Sequence, residues 1–265
     1  MDVTQTSKGK PYCLVAKSYC AAAKVLVNQK SVLYGTAMAV ADNPLSRRET
    51  RGQDRRDAII AIAADLFLSH GYAGTTMSGI AAAVGGSKAT LWGHFESKES
   101  LFEAVMDRIT ATFQAQLAEI LAPRGDLRVT LRGFCQGLIT RATSAEAIAL
   151  FRLVAAEAGR TPEVGRIFYE RGPRRTWEQV VPVLAEAMDR GILRRDDPLI
   201  AARLLSSLCL AGTHQLLLLG LITEPDERVI EEDAGRALDT FLRSYVVGDL
   251  HGHSLSRAGK HTDSR

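Results

Sequence analysis

Cysteine is scarce in this chain: four residues in 265, at Cys13, Cys20, Cys135 and Cys209. Their wide and irregular spacing fits neither a zinc cluster nor a disulfide framework, so the four read as free thiols. A large excess of either charge is also missing. Lys and Arg number 33 and Asp and Glu 30, which leaves a formal +3, and the first 50 residues carry that surplus. A nucleic-acid partner must therefore be argued from local placement of Arg and Lys. Uninterrupted apolar runs are absent as well. The stretch Leu14–Val27 is cut by Lys17 and Lys24 and has no clear core of a secretory signal. The stretch Leu199–Ile222 is long enough to span a bilayer, but Arg203, His214 and several Ser, Thr and Gly residues interrupt it, which predicts a helix buried in a core or a dimer and a cytoplasmic protein. P-loop, HExxH, GxSxG and dinucleotide fingerprints are all missing, which argues against an enzyme.

What is present is an ordinary globular composition, 46% apolar and 24% charged. That excludes collagen and wholesale disorder. A chain of this length buries roughly 70–75% of the surface it exposes unfolded and needs neither disulfide nor metal to fold. Helical periodicity dominates from about residue 54 onward, with no run of alternating strand character. The expected fold is all-α.

Residues 1–45 lack a sustained amphipathic pattern and are expected to be a disordered extension. Met38 opens a segment that reads like a natural N-terminus, so translation is expected to start there. A first helix is predicted from about Asp54 to His70, with Ile59, Ile60, Ala63, Leu66 and Phe67 as its apolar stripe and Gly71 as its stop. Thr75 or Thr76 then suits the N-cap of a second helix, and Ser87 that of a short third one ending near Phe95. Gly85 and Gly86 lie in the turn between them. Ser97 can cap a long fourth helix in which Leu101, Val105, Ile109, Phe113, Leu117 and Leu121 recur every four residues. Further helices are predicted over 127–142, 145–158, 162–171, 174–190, 197–220 and 225–246, with Thr161 as N-cap and Pro162 at the first position of one of them. The tail 248–265 lacks periodicity and is expected to be disordered.

Three short helices with a tight turn between the last two form a helix-turn-helix pattern, whose last helix places side chains near its N-terminus against base edges. Ser87, Lys88, Ala89 and Thr90 are the candidates for that face, and Lys98 for a phosphate. Taken singly, Lys88 and Lys98 read as solvated surface charges rather than DNA contacts. Order and extent decide between these readings. From Ala58 to Met106 the sequence closely resembles the DNA-binding domain of the TetR/AcrR family of transcriptional regulators. The resemblance is carried by Leu66-Phe67, Gly71-Tyr72, Thr75-Thr76, Ile80-Ala81, Gly85, Ser87, Leu91, Phe95, Ser97-Lys98-Glu99 and Leu101. It implies that Thr75, Thr76, the third-helix residues Ser87 to Thr90, Trp92 and His94, and Lys98 meet double-stranded DNA at a palindromic operator. It further implies a homodimer with one reading head per subunit. Trp92 stands where the family has tyrosine and Gly86 where it has an apolar residue, which predicts altered affinity or operator preference. Ahead of the first helix, Arg47, Arg48, Arg51, Arg55 and Arg56 read either as an arm tracking phosphates or a minor groove, or as a solvated charge run.

Residues 148–205 resemble, more weakly, the AefR-like class of C-terminal domains in the same family, through FRLVAAEAGRTPEVGRIFYERGPRRT and DRGILRRDDPLIAARLL. The domain division this implies is 46–100 for DNA binding and 101–247 for ligand binding and dimerisation. Phe134, Phe151, Phe168, Trp177 and His214 are candidate lining residues for an unknown small-molecule effector, each of which also reads as plain core. Arg152, Arg171, Arg174 and Arg175 read either as partners of an anionic ligand or as a solvated face. His251, His253 and His261 are read as incidental, with no metal and no cofactor expected. The function expected is a ligand-responsive repressor. Its competitor is a helical sensor or partner-binding protein without operator recognition.

Overall fold

The computed structural model describes residues 44–122 and 125–247. The extension before Pro44, the start at Met38 and the tail 248–265 lie outside the described residues. The described residues divide into two units at Ile59 and Ile60, 44–59 and 60–247.

Eleven helices account for the described residues: α1 Pro44–Gly74, α2 Met77–Val84, α3 Lys88–His94, α4 Lys98–Leu121, α5 Leu127–Ala142, α6 Ala145–Glu157, α7 Pro162–Arg171, α8 Pro173–Asp189, α9 Pro198–Cys209, α10 Thr213–Leu218 and α11 Glu227–Tyr245. Extended pairing among them is limited to one isolated bridge, Leu193 with Val246. The fold is all-α. Helix α1 begins ten residues ahead of the predicted Asp54. It kinks at the predicted stop, where Gly71 takes φ 76° before a last turn to Gly74, a backbone conformation that glycine reaches without a Cβ penalty.

Local chemistry sets most helix starts. Thr76 accepts from Gly79 N–H at 3.0 Å, Ser87 from Thr90 N–H at 3.1 Å, Asp126 from Arg128 N–H at 2.8 Å and Asp197 from Leu199 N–H at 2.7 Å. Ser97 and Ser100 exchange side-chain and backbone bonds, both 3.1 Å, at the start of α4. Each such cap contributes about 1 kcal/mol. Thr161 departs from expectation: it holds the N-cap position of α7 but makes no side-chain cap bond, and Pro162 starts the helix through its fixed φ.

In the second unit α11 lies along α5 and α9, α9 along α8, and α4 packs on α5, α7 and α8. Their shared core includes Leu117, Leu131, Phe134, Leu184, Leu205 and Phe241, all fully buried. The predicted single helix over 197–220 is instead two. It breaks at Gly212, where φ −107° and ψ −116° end the helical path between α9 and α10. Asp233, on α11, explains the break: its carboxylate accepts from Thr213 N–H at 2.9 Å and from the Thr213 hydroxyl at 2.6 Å. It thereby caps α10 from another element.

Candidate nucleic-acid interface

Helices α2 and α3 meet through the turn Gly85–Ser87. Gly85 sits at φ 68°, and its N–H and that of Gly86 close on the carbonyls of Ala82 and Ala81, which satisfies the open end of α2. Across the turn, Ser87 caps α3 and its hydroxyl lies 2.9 Å from that of Thr90. Leu91 and Phe95 point inward and are buried, whereas Ser87, Lys88, Ala89, Thr90 and Trp92 are exposed. Trp92 keeps 48% of its surface accessible. His94 is half-buried beside the Phe95 ring. Five of the predicted reading residues are therefore exposed on α3 and its N-cap.

The two threonines ahead of α2 separate. Thr76 is exposed, but Thr75 is 4% exposed and donates its hydroxyl to the carbonyls of Gly71 at 2.8 Å and Leu66 at 3.0 Å. Lys98 is also held: its Nζ lies 4.0 Å from the centre of the Tyr72 ring, a cation–π contact, and desolvation lowers its pKa. Tyr72 stacks with Phe67 and meets Phe102 edge-on. Its hydroxyl donates to Glu99 at 3.1 Å, and burial followed by the Glu99 charge pushes the phenol pKa well up. Hydrogen bonds from the Glu99 backbone and the Ser97 side chain hold the Glu99 carboxyl below its ordinary value. In the other unit Arg51 is an exposed residue of α1. Arg47 and Arg48 belong to the same helix, and their side chains lie outside the described residues.

The candidate effector residues fall in three places. Phe151 meets Phe168 and His214 edge-on, with ring centres 5.7 and 5.5 Å apart. Burial lowers the pKa of His214. Trp177 packs against Tyr169 and under the Arg203 guanidinium. Phe134 belongs to the fully buried core. The arginines have partners inside the protein. Arg171 pairs with Glu103 at 2.8 Å and Asp107 at 2.9 Å, Arg175 with Asp107 at 2.7 Å, and Arg174 with Glu178 at 2.8 Å. Arg152 donates to the last carbonyls of α10, those of Leu217 and Leu218.

A profile described as "Bacterial regulatory proteins, tetR family" matches residues 59–105, and one described as "AefR-like transcriptional repressor, C-terminal domain" matches residues 129–247. The chain is 33% identical to the solved structure of the flavonoid-responsive regulator FrrA, covering 73% of this chain and 98% of that one with a TM-score of 0.63. The chain belongs to the TetR family. A TetR-family regulator structure from Mesorhizobium loti is 28% identical and aligns over 74% of this chain and 99% of that one, with a TM-score of 0.64. Among curated sequences, the transcriptional repressor KstR2 of Rhodococcus jostii is 37% identical over 101 residues, 38% of this chain and 47% of that protein. The chain spans less than half the length of the curated relatives it matches.

TetR-family proteins are transcriptional regulators rather than enzymes. In this member no helix among the described residues is long and apolar enough to cross a membrane. Sequence reading missed the carboxylates Glu103 and Asp107 on α4, which hold the arginines of α7 and α8, and the amides Gln114 and Gln179, which meet between α4 and α8. The partners are 64 to 68 residues apart for the ion pairs and 65 for the amides. Periodicity placed these residues on helices but carried no signal for the pairing.

Proposed function

We propose that this chain is a ligand-responsive transcriptional repressor that binds a palindromic operator as a homodimer and leaves it when a small molecule binds. The observation that carries the reading is α3 itself: a capped helix anchored by Leu91 and Phe95, with Ser87, Lys88, Ala89, Thr90 and Trp92 turned to solvent. Such a helix fits a major groove, its first residues against base edges. Thr76, His94, Lys98 and the arginines Arg47, Arg48 and Arg51 supply contacts to phosphates or a neighbouring groove. The kinship with a flavonoid-responsive regulator supports a small-molecule effector. An effector that favours one conformation shifts the spacing of the two reading helices away from the one helical turn, about 34–36 Å, that DNA requires.

Fluorescence anisotropy of the full chain on the DNA upstream of its own gene, beside a shuffled duplex, tests the reading. Binding is expected to be selective and salt-sensitive. With about four phosphates neutralised per subunit, the log–log salt slope is expected near −7. A slope near −2, or equal weak binding to both duplexes, would count against operator recognition and favour the sensor without a DNA site.

The homodimer rests on apolar surface that one subunit leaves open. Ile200 is 54% and Leu219 74% exposed, with Leu199, Leu204, Leu216 and Leu221 also exposed on and just after α9 and α10. A patch of this kind on a soluble protein marks an interaction site, and an isologous contact covers it in both copies at once. Ile200→Glu with Leu204→Glu is therefore expected to give a folded monomer by light scattering and to weaken operator binding sharply. A dimer that persists unchanged would remove α9 from the interface.

A further inference from the structure

The end of α1 is clasped from two sides. Gly71 takes φ 76° and ψ 168°, which turns the chain out of the helical path and opens backbone groups that need partners outside the helical ladder. On the acceptor side, the Thr75 hydroxyl donates to the Gly71 carbonyl at 2.8 Å. On the donor side, the Ala73 N–H donates to the Glu157 carboxylate at 3.2 Å, across 84 residues of chain. A Cβ on Gly71 would stand 3.4 Å from the same carboxylate oxygen, so the last residue of α6 lies directly against the kink. Its charge reaches Lys98 as well, whose pKa desolvation lowers while Glu99 and then Glu157 raise it.

The clasp bears on the reading head through its neighbours. Tyr72, inside the kink, packs on Phe67 and Phe102 and so fixes the end of α1 to the start of α4. Thr76, just past the kink, caps α2, and α2 leads through the turn Gly85–Ser87 to α3. Packing on α4 alone would pin the head at one place and leave it a rotation about that place. The bond to α6 is a second point and restrains that rotation. The other end of the path is also tied. Earlier on α6, Arg152 donates to the α10 carbonyls of Leu217 at 2.6 Å and Leu218 at 3.2 Å, and α10 carries Leu216 of the exposed apolar surface.

We propose that Glu157 is a positioning residue for operator recognition: by holding the Ala73 N–H it ties the reading head to α6, and together with Arg152 on α10 it makes α6 the strut that sets which separation of half-sites the homodimer accepts. The inference rests on the operator-binding homodimer and adds the residue that determines its spacing. The bond itself is solvent-accessible, so its loss costs the fold little. Its effect lies in geometry. One base pair more or less between half-sites moves a reading head by about 3.4 Å and turns it by about 35°, a change that a tied head resists and a released one follows.

Anisotropy of the full chain on duplexes that carry the operator half-sites at their natural separation, and at one base pair more or less, tests the role. Wild type is expected to favour the natural separation by about tenfold or more. Glu157→Ala is expected to reduce that preference about fivefold, the net contribution of one hydrogen bond, with a thermal midpoint within about 2 °C of wild type. Glu157→Gln keeps an oxygen for the Ala73 N–H and is expected to retain the wild-type preference. Hydrogen exchange on the DNA-free protein reads the bond itself: the amides of residues 71–76 are expected to exchange faster in Glu157→Ala and at the wild-type rate in Glu157→Gln. A spacing preference that survives Glu157→Ala, a Glu157→Gln variant that behaves like Glu157→Ala, or exchange that is the same in all three proteins would each overturn the role. Affinity lost equally at all three separations would overturn it too, since a merely destabilised head gives that result. The parent reading stays separate: wild type that binds no duplex selectively removes operator recognition and this inference with it, whereas selective wild-type binding beside an unaffected Glu157→Ala removes the inference alone.

Discussion

Gly212→Ala is expected to destabilise the protein by about 3 kcal/mol, which for a chain of this size lowers the thermal midpoint by roughly 6–12 °C. A Cβ at this position would lie 2.7 Å from Cγ of Asp233, closer than real Cβ atoms approach. The carboxylate would have to leave Thr213, whose N–H and hydroxyl it satisfies in a buried setting. Asp233→Ala is expected to cost a similar amount for the complementary reason, since it strands those two donors and the Arg236 side chain that pairs with Asp233 at 2.5 Å. The two effects cannot add. With the carboxylate gone the new methyl has nothing to strike, so the double variant is expected to be little worse than Asp233→Ala alone. Additive losses in urea unfolding would show that the break between α9 and α10 is held by something other than this contact.

The same carboxylate makes a prediction in pH. Burial alone would raise the Asp233 pKa, but the Thr213 bonds and the Arg236 charge outweigh it and leave the value below the ordinary one. A depressed carboxylate contributes stability that is complete above its unfolded pKa, about 3.9, and is lost as the pH falls through the folded value. Wild type is therefore expected to lose stability relative to Asp233→Asn on going from pH 5 to pH 2.5. Identical acid limbs for the two proteins would contradict the shift.

Which features the sequence discloses follows from how far apart the determining residues lie. Thr76, Ser87, Ser97, Asp126 and Asp197 cap helices through bonds to residues two or three positions on, so their roles are written locally. The repeat from Leu101 to Leu121 likewise reports one buried face of α4, and each of its six members is buried. The break at Gly212 was not legible, because its cause is the bond from Thr213 to Asp233, twenty residues further on. Leu-rich continuity from Leu199 to Leu221 therefore read as one helix. Thr75 and Thr76 look interchangeable in sequence, yet the turn at Gly71 directs one hydroxyl inward and leaves the other outside. For the effector region the difficulty was greater. Aromatic residues are conspicuous in a sequence and singled out Phe134, which lies fully buried in the core, while the contact of Gln114 with Gln179 and Thr176 joins residues of two helices far apart in the chain.

Lys88→Ala combined with Thr90→Ala is expected to reduce operator affinity by about 100-fold or more while changing stability by less than about 0.5 kcal/mol. The two numbers come from different parts of the same helix. Lys88 and Thr90 are exposed, and the bonds that hold α3 in place run through the Ser87 cap, Leu91 and Phe95. Truncating exposed side chains leaves folding nearly untouched. On the proposed operator the same side chains would face base edges or phosphates, where each good contact contributes roughly 1–3 kcal/mol per subunit, and the proposed homodimer would lose every contact twice. Ser87→Ala is the informative control, because it removes a cap as well as a groove contact and is expected to lower both stability and affinity. Trp92→Phe sits between these cases: it keeps an exposed aromatic ring but removes the indole N–H together with its pyrrole ring, so a loss near tenfold is expected if that donor meets a phosphate. Affinity that stays unchanged in the Lys88 and Thr90 double variant, measured against the same operator at two salt concentrations, would take α3 out of the DNA contact altogether. The exposed face that carries the proposed function would then have to serve a different partner.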